Sequence, residues 1–118
     1  VAIEVDCGPE ILTGSTRLKA GTAQKLVLNM VSTATMIGLG KVYKNLMVDV
    51  KPTNEKLVER AKGIIAKVTG VTGEEAHKYL LEANKNVKAA ITMILTNCSY
   101  KEAKENLRLV KGFVKKVK

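Results

Sequence analysis

The sequence contains no tryptophan and a single phenylalanine, Phe113, and its only other aromatics are Tyr43, Tyr79 and Tyr100. In 118 residues that are 46% hydrophobic, this scarcity excludes an aromatic core and predicts one built from aliphatic side chains and methionine. Histidine is scarcer still. His77 stands alone among helical charges, and nothing around it makes a metal-ligand pattern. Cys7 and Cys98 are far apart and form no Cys-x-x-Cys pair, so two free thiols in a reducing cytosol are expected, with neither a metal nor a cofactor. A long apolar run is also missing. Ala20–Gly40 carries one charge, Lys25, but Thr22, Gln24, Asn29, Ser32, Thr33 and Thr35 argue against a membrane span and for a helix buried inside a soluble protein. There is no initiator methionine and no pattern resembling a signal peptide. Val1, Ile3 and Val5 alternate with Ala2, Glu4 and Asp6 like the inside of a strand, so the chain reads as the C-terminal piece of a longer protein.

Acidic residues are the minority, and their deficit is uneven. Residues 1–59 hold seven Lys/Arg against six Asp/Glu, and residues 60–118 hold thirteen against five, so the net +9 divides as +1 and +8. From Arg108 onward there is no acid, while Lys111, Lys115, Lys116 and Lys118 follow. A basic end of this kind can bind nucleic acid. A solvated helix end is the commoner origin, since cations also favour a helix C-terminus. Nucleic acid is therefore not the expected partner.

What is present is mostly helix-forming. After the Val1–Asp6 strand and a Gly8–Ser15 loop, a helix is predicted from about Arg17 or Gly21 to Ile37. Leu26, Met30, Ala34 and Ile37 form one stripe, flanked by Val27, Leu28 and Val31, as in a helix covered on most sides. Lys41–Val50 has the even spacing of a short extended segment, and Lys51-Pro52 stops it. Thr53 or Asn54 can cap the next helix, which repeats Leu57, Ala61, Ile64, Ile65 and Val68 and closes at Gly70. Three short amphipathic helices follow. Their faces are Ala76, Tyr79, Leu80 and Ala83, then Val87, Ala90, Ile91, Ile94 and Leu95, then Ala103, Leu107, Val110 and Val114. Thr72–Glu75 and Ser99–Glu102 fit capping boxes, and Asn86 can cap the middle helix. Each is too short to be stable alone, so a small three-helix bundle must hold them together.

The densest chemistry lies in Gly8–Lys25. Three glycines, Pro9, four hydroxyl side chains and three cations surround one acid, Glu10. Strand, then Gly/Ser/Thr loop, then helix is a geometry suited to phosphate or another anion.

Two resemblances attach to these residues. Leu81–Ile91 (LEANKNVKAAI) is similar to the turn of ubiquitin-associated (UBA-like) bundles, which implies helix capping by Asn86 and core positions at Val87, Ala90 and Ile91. GPEILTGSTRLKAGTAQK resembles the signature shared by N-acetylmuramic acid 6-phosphate etherases and the glucokinase regulatory protein. The resemblance continues through KLVLNMVSTATMIGLGKVYKNLMVDVKPTNEKL in the manner of the bacterial etherases. It implies that residues 1–52 are the C-terminal part of a sugar isomerase (SIS) domain, a doubly wound α/β fold. Residues 53–70 would be a connecting helix and residues 71–118 a UBA-like three-helix bundle, so this stretch would be mainly α, with one or two short strands.

The same resemblance implies a cytoplasmic carbon–oxygen lyase, commonly a homodimer, that acts on a phosphosugar in cell-wall recycling. The expected chemistry splits the D-lactyl ether into N-acetylglucosamine 6-phosphate and D-lactate, by elimination and addition of water. The acid and base are glutamates earlier in such a domain, so none of the catalytic pair is expected within these 118 residues. Glu10, Ser15, Thr16, Arg17 and Lys19 become candidate substrate-binding residues: hydroxyl donors, positive charge, and a carboxylate for sugar hydroxyls. The same residues also suit a tight turn, a helix cap or an ion pair. Two other functions remain open, a non-catalytic phosphosugar-binding regulator and a basic helical interaction module.

Overall fold

The computed structural model describes residues 1–117. The chain divides into two compact units, Val1–Thr35 and the residues from Met36 on.

In the first unit, residues 1–10 run without regular structure. The alternation of Val1, Ile3 and Val5 predicts a strand, but a strand exists only as part of a hydrogen-bonded ladder, and no neighbour pairs with this one. Turns through residues 11–18 lead into α1, Lys19–Gly38. None of α1 is buried in this chain, and Leu28 and Met30 are 62% and 65% exposed. The covered helix expected from its apolar flanks is thus laid bare, because the apolar faces of Val1–Thr35 outnumber the surfaces available to cover them.

The second unit is organised around buried aliphatic side chains. A minimal antiparallel hairpin, β1 (Val42–Tyr43) and β2 (Leu46–Met47), pairs Val42 with Met47 and Tyr43 with Leu46. It delivers Val48 into the core, where it is 1% exposed. Asn54 caps α2 (Glu55–Thr69) by accepting from the Leu57 amide, and Gly70 ends it in the left-handed region. The helices α3 (Gly73–Glu82), α4 (Val87–Thr96) and α5 (Tyr100–Leu109) follow, with a 3₁₀ turn at Val114–Lys116. Both capping boxes form as expected: the Thr72 and Ser99 hydroxyls accept from the amides of Glu75 and Glu102, whose carboxylates accept in return. Asn86 caps α4.

Among the described residues the protein is therefore mainly helical, five α-helices and one two-stranded sheet. The helix α4 is its centre, touching α2, α3, α5 and the 3₁₀ turn. Six of its ten residues, Val87 and Ala89–Met93, are buried. Ile65 of α2 and Leu80 of α3 share the buried core with its own Val87 and Ile91, each worth about 1.5–3 kcal/mol of transfer energy as a buried side chain. The third helical face differs from its expected form. The helix α5 stops at Leu109, the chain turns through Lys111 and Gly112 at positive φ, and Val114 reaches the core from the 3₁₀ turn rather than from α5.

Candidate functional site

The five candidate residues all lie in the first unit, on the loop that opens α1. A helix start leaves four amides without intrahelical partners, and these are what make it attractive to anions. Here they are already engaged. Glu10 accepts from the Lys19 amide through Oε2 at 3.1 Å and from the Ala20 amide through Oε1 at 3.0 Å. The Gly21 amide donates to the Thr16 carbonyl at 2.8 Å, and the Thr22 amide to the Leu18 carbonyl at 3.0 Å. The anion that this strand-like, loop and helix sequence suits is thus supplied by the chain itself, from nine and ten residues upstream. The two backbone donors, Ala20 before Lys19, hold the Glu10 carboxyl below its usual pKa. Slight burial opposes them, and the nearby Lys19 charge assists.

The loop closed by Glu10 is braced from within. The Ser15 amide donates to the Leu12 carbonyl, Thr16 to Gly14, and Leu18 to Ser15, at 3.0, 3.1 and 3.3 Å. Ser15 is half-buried in this turn, where its backbone rather than its hydroxyl holds the structure. Thr16 is exposed and lines an open cavity of about 350 Å³ together with Ile3, Val5, Cys7 and the Ala20–Leu28 side of α1. Arg17 is exposed, and among the described residues no carboxylate lies within 4 Å of its guanidinium. The Lys19 side chain is exposed and folds back, its Nζ lying 3.8 Å from where a Cβ on Gly8 would sit. The fold therefore gathers the five residues on one loop, with Glu10 turned onto backbone and Arg17 free.

The capping role of Glu10 was not visible in the sequence. Local capping rules search three residues ahead, as at Thr72–Glu75, and a partner nine residues away across a glycine-rich loop leaves no periodic trace. A charged cluster in the second unit was missed for the same reason. Asp49 joins Lys41 at 3.0 Å and Lys88 at 3.7 Å, and the Lys88 ammonium also donates to the Gly112 carbonyl at 3.4 Å. Among the described residues no group of three or more His, Cys, Asp or Glu could hold a metal ion. No helix among them is long and apolar enough to cross a membrane.

Residues 44–89, which include β2, α2 and α3, match a family model described as the C-terminal lid domain of glucokinase regulatory protein. Longer relatives cover nearly all of the chain. N-acetylmuramic acid 6-phosphate etherase of Bacillus cytotoxicus is 68% identical over 116 residues, 98% of this chain and 40% of that protein. The proteins of the same name from Bacillus cereus and Shouchella clausii are 68% and 66% identical over 97% and 98% of this chain, and in each the match spans 39% of the relative. The chain resembles the C-terminal portion of the N-acetylmuramic acid 6-phosphate etherases, as the Gly8–Lys25 signature implies, and spans about 40% of the length of these relatives.

Proposed function

We propose that this chain is the C-terminal portion of an enzyme that cleaves the D-lactyl ether of N-acetylmuramic acid 6-phosphate. The products are N-acetylglucosamine 6-phosphate and D-lactate. The observation that carries this reading is the 68% identity, sustained over 98% of the chain, to proteins named for that activity. Ring opening exposes an aldehyde at C1 and acidifies the C2 proton. A base removes that proton, an acid helps expel lactate from C3, and water adds back to the unsaturated aldehyde. Two positioned carboxyl groups suffice, and no metal or cofactor enters the reaction. In this proposal both carboxyls belong to the longer protein, and these 118 residues alone are inactive.

Residues 1–52 are read as the end of an SIS domain and residues 71–118 as a UBA-like bundle, joined by the helix of residues 53–70. The role of the first is to hold the phosphosugar. Ser15, Thr16, Arg17 and Lys19 supply donors and positive charge, and the exposed guanidinium of Arg17 suits a phosphate monoester. The protein is read as a cytoplasmic homodimer, with no membrane or nucleic-acid partner.

The experiment is an assay of D-lactate release from N-acetylmuramic acid 6-phosphate by the purified full-length protein carrying this segment. Stoichiometric lactate is expected. No lactate from a protein whose upstream glutamates are intact overturns the reading. A second reading, a non-catalytic regulator that binds a phosphosugar and a sugar kinase, is favoured by the match of residues 44–89 to the lid domain of glucokinase regulatory protein. Capture of a sugar kinase in a manner that responds to fructose phosphates, without lactate release, would put it first.

A further inference from the structure

We infer that Glu10 is a positioning residue of the candidate phosphosugar loop: it clasps the first two amides of α1, fixes the backbone that carries Arg17 and Lys19, and does not itself bind the sugar. The inference rests on the reading of this loop as phosphosugar-binding.

Both oxygens of the Glu10 carboxylate are committed, one to each of two consecutive amides. Swinging the side chain out to a sugar hydroxyl would leave the Lys19 and Ala20 amides without partners at a helix start. It would also replace two charge-assisted bonds to the cationic end of the helix dipole with one bond to a neutral hydroxyl. The clasp joins residue 10 to residue 19, so the segment between them is a closed arch. Arg17 stands between two of its backbone bonds, Leu18 to Ser15 and Gly21 to Thr16. Its Cα has little freedom, while its side chain projects free.

The same contact decides how a phosphate can be recognised. With a carboxylate already on the helix end, a second anion there meets repulsion instead of open amides. The attraction must then come from the Arg17 and Lys19 side chains, whose placement depends on the arch. The Lys19 backbone is itself one of the clasped groups, so losing Glu10 disturbs both cations together. Removal of Glu10 also bares the helix end as a competing anion site.

The test is made in the full-length protein carrying this segment, with N-acetylmuramic acid 6-phosphate as substrate. Glu10→Ala is expected to raise KM about tenfold with kcat nearly unchanged, the signature of lost ground-state binding. Glu10→Gln keeps one acceptor oxygen and should recover most of the loss. Arg17→Met and Lys19→Met each raise KM on their own account, and adding Glu10→Ala to the Arg17→Met/Lys19→Met variant should change KM little further, because Glu10 acts through the two cations. Fully additive effects overturn the inference, as does a Glu10→Ala defect confined to kcat. In parallel, amide hydrogen exchange reads the clasp directly: Glu10→Ala should speed exchange at Lys19 and Ala20, and unchanged exchange there overturns it. A KM unmoved by Arg17→Met sinks the phosphosugar reading instead, and the exchange measurement then decides the clasp by itself.

Discussion

Gly40 and Gly112, far apart in sequence, meet backbone to backbone in the second unit: a Cβ built on Gly40 would lie 3.1 Å from both the carbonyl carbon and the carbonyl oxygen of Gly112. Gly40 is buried, and both residues hold positive φ, +65° and +80°. The contact brings the chain leaving α1 against the turn that follows α5. It sits beside the Asp49–Lys88 pair, whose lysine reaches the Gly112 carbonyl. Close approach and left-handed backbone together demand glycine at Gly40, and backbone conformation alone demands it at Gly112.

A methyl group should therefore cost more at the first site than at the second. Gly40→Ala strains φ and crowds the Gly112 main chain and the Phe113 ring at 3.1 Å, so that these neighbours must give by a few tenths of an ångström, and a loss of about 2–4 kcal/mol is expected. At Gly112 the methyl would meet only the Lys88 ammonium, the end of a flexible side chain, and a loss of about 1–2 kcal/mol is expected from backbone strain. Urea unfolding followed by tyrosine fluorescence measures both. Equal losses, or the reverse order, would show that the close approach does not constrain this corner.

Asp49 links the hairpin exit to α4, and its contribution should depend on pH. Partial burial works to raise its pKa, but the Lys41 hydrogen bond and the charges of Lys88 and Lys41 outweigh it, so the carboxyl titrates below its ordinary value of 3.8. A group depressed on folding stabilises the native state above its unfolded pKa, and that stability disappears as pH falls through the lower, folded value. Asp49→Asn should thus cost up to about 1 kcal/mol at neutral pH, discounted for the partial exposure of the pair. The gap between variant and parent should close as the pH falls through the lowered, folded value of the carboxyl. A gap that is constant from pH 7 to pH 2 would assign the effect to packing and not to charge.

The middle helix separates two leucine-like positions that the sequence treats alike. Ile91 is fully buried, and Leu95, one turn on, is 49% exposed. Ile91→Ala should cost about 2–5 kcal/mol, whereas Leu95→Ala should cost no more than about 1 kcal/mol, both read from urea midpoints. Comparable losses would mean that Leu95 is covered in solution.

That pair also shows what the sequence could and could not convey. Periodicity located α2 to α5, the caps at Thr72, Asn86 and Ser99, the α2 cap to within Thr53 or Asn54, and most of the faces that pack, because these follow from contacts within three or four residues. It misplaced Leu95 because α4 is surrounded. Thr92 and Met93 are buried on what a two-sided pattern marks as its outer face, and Leu95 is the one residue of α4 left exposed. It placed Val114 on α5, because an aliphatic residue spaced by one turn says nothing of a left-handed turn at Lys111 and Gly112. At the candidate site the residue types were legible, and the partner of Glu10 was not, since a loop of nine residues closes by three-dimensional geometry and not by spacing.

The bare face of α1 makes a prediction for the chain in isolation. Leu26, Leu28, Met30, Val31 and Ile37 are each more than half exposed, a far greater apolar area than scattered surface leucines present. Water disfavours such a surface by about 25 cal/mol per Å², so the 118 residues by themselves should self-associate as concentration rises. Sedimentation velocity should show a growing dimer or larger species. A Leu28→Lys/Met30→Lys variant should stay monomeric at the same concentrations. Because Leu80 and Ile91 in the second unit are untouched, the variant should keep its helical circular dichroism and its unfolding midpoint. A wild-type chain that remains monomeric across this range would mean that the apolar face of α1 is covered by a rearrangement of residues 1–35.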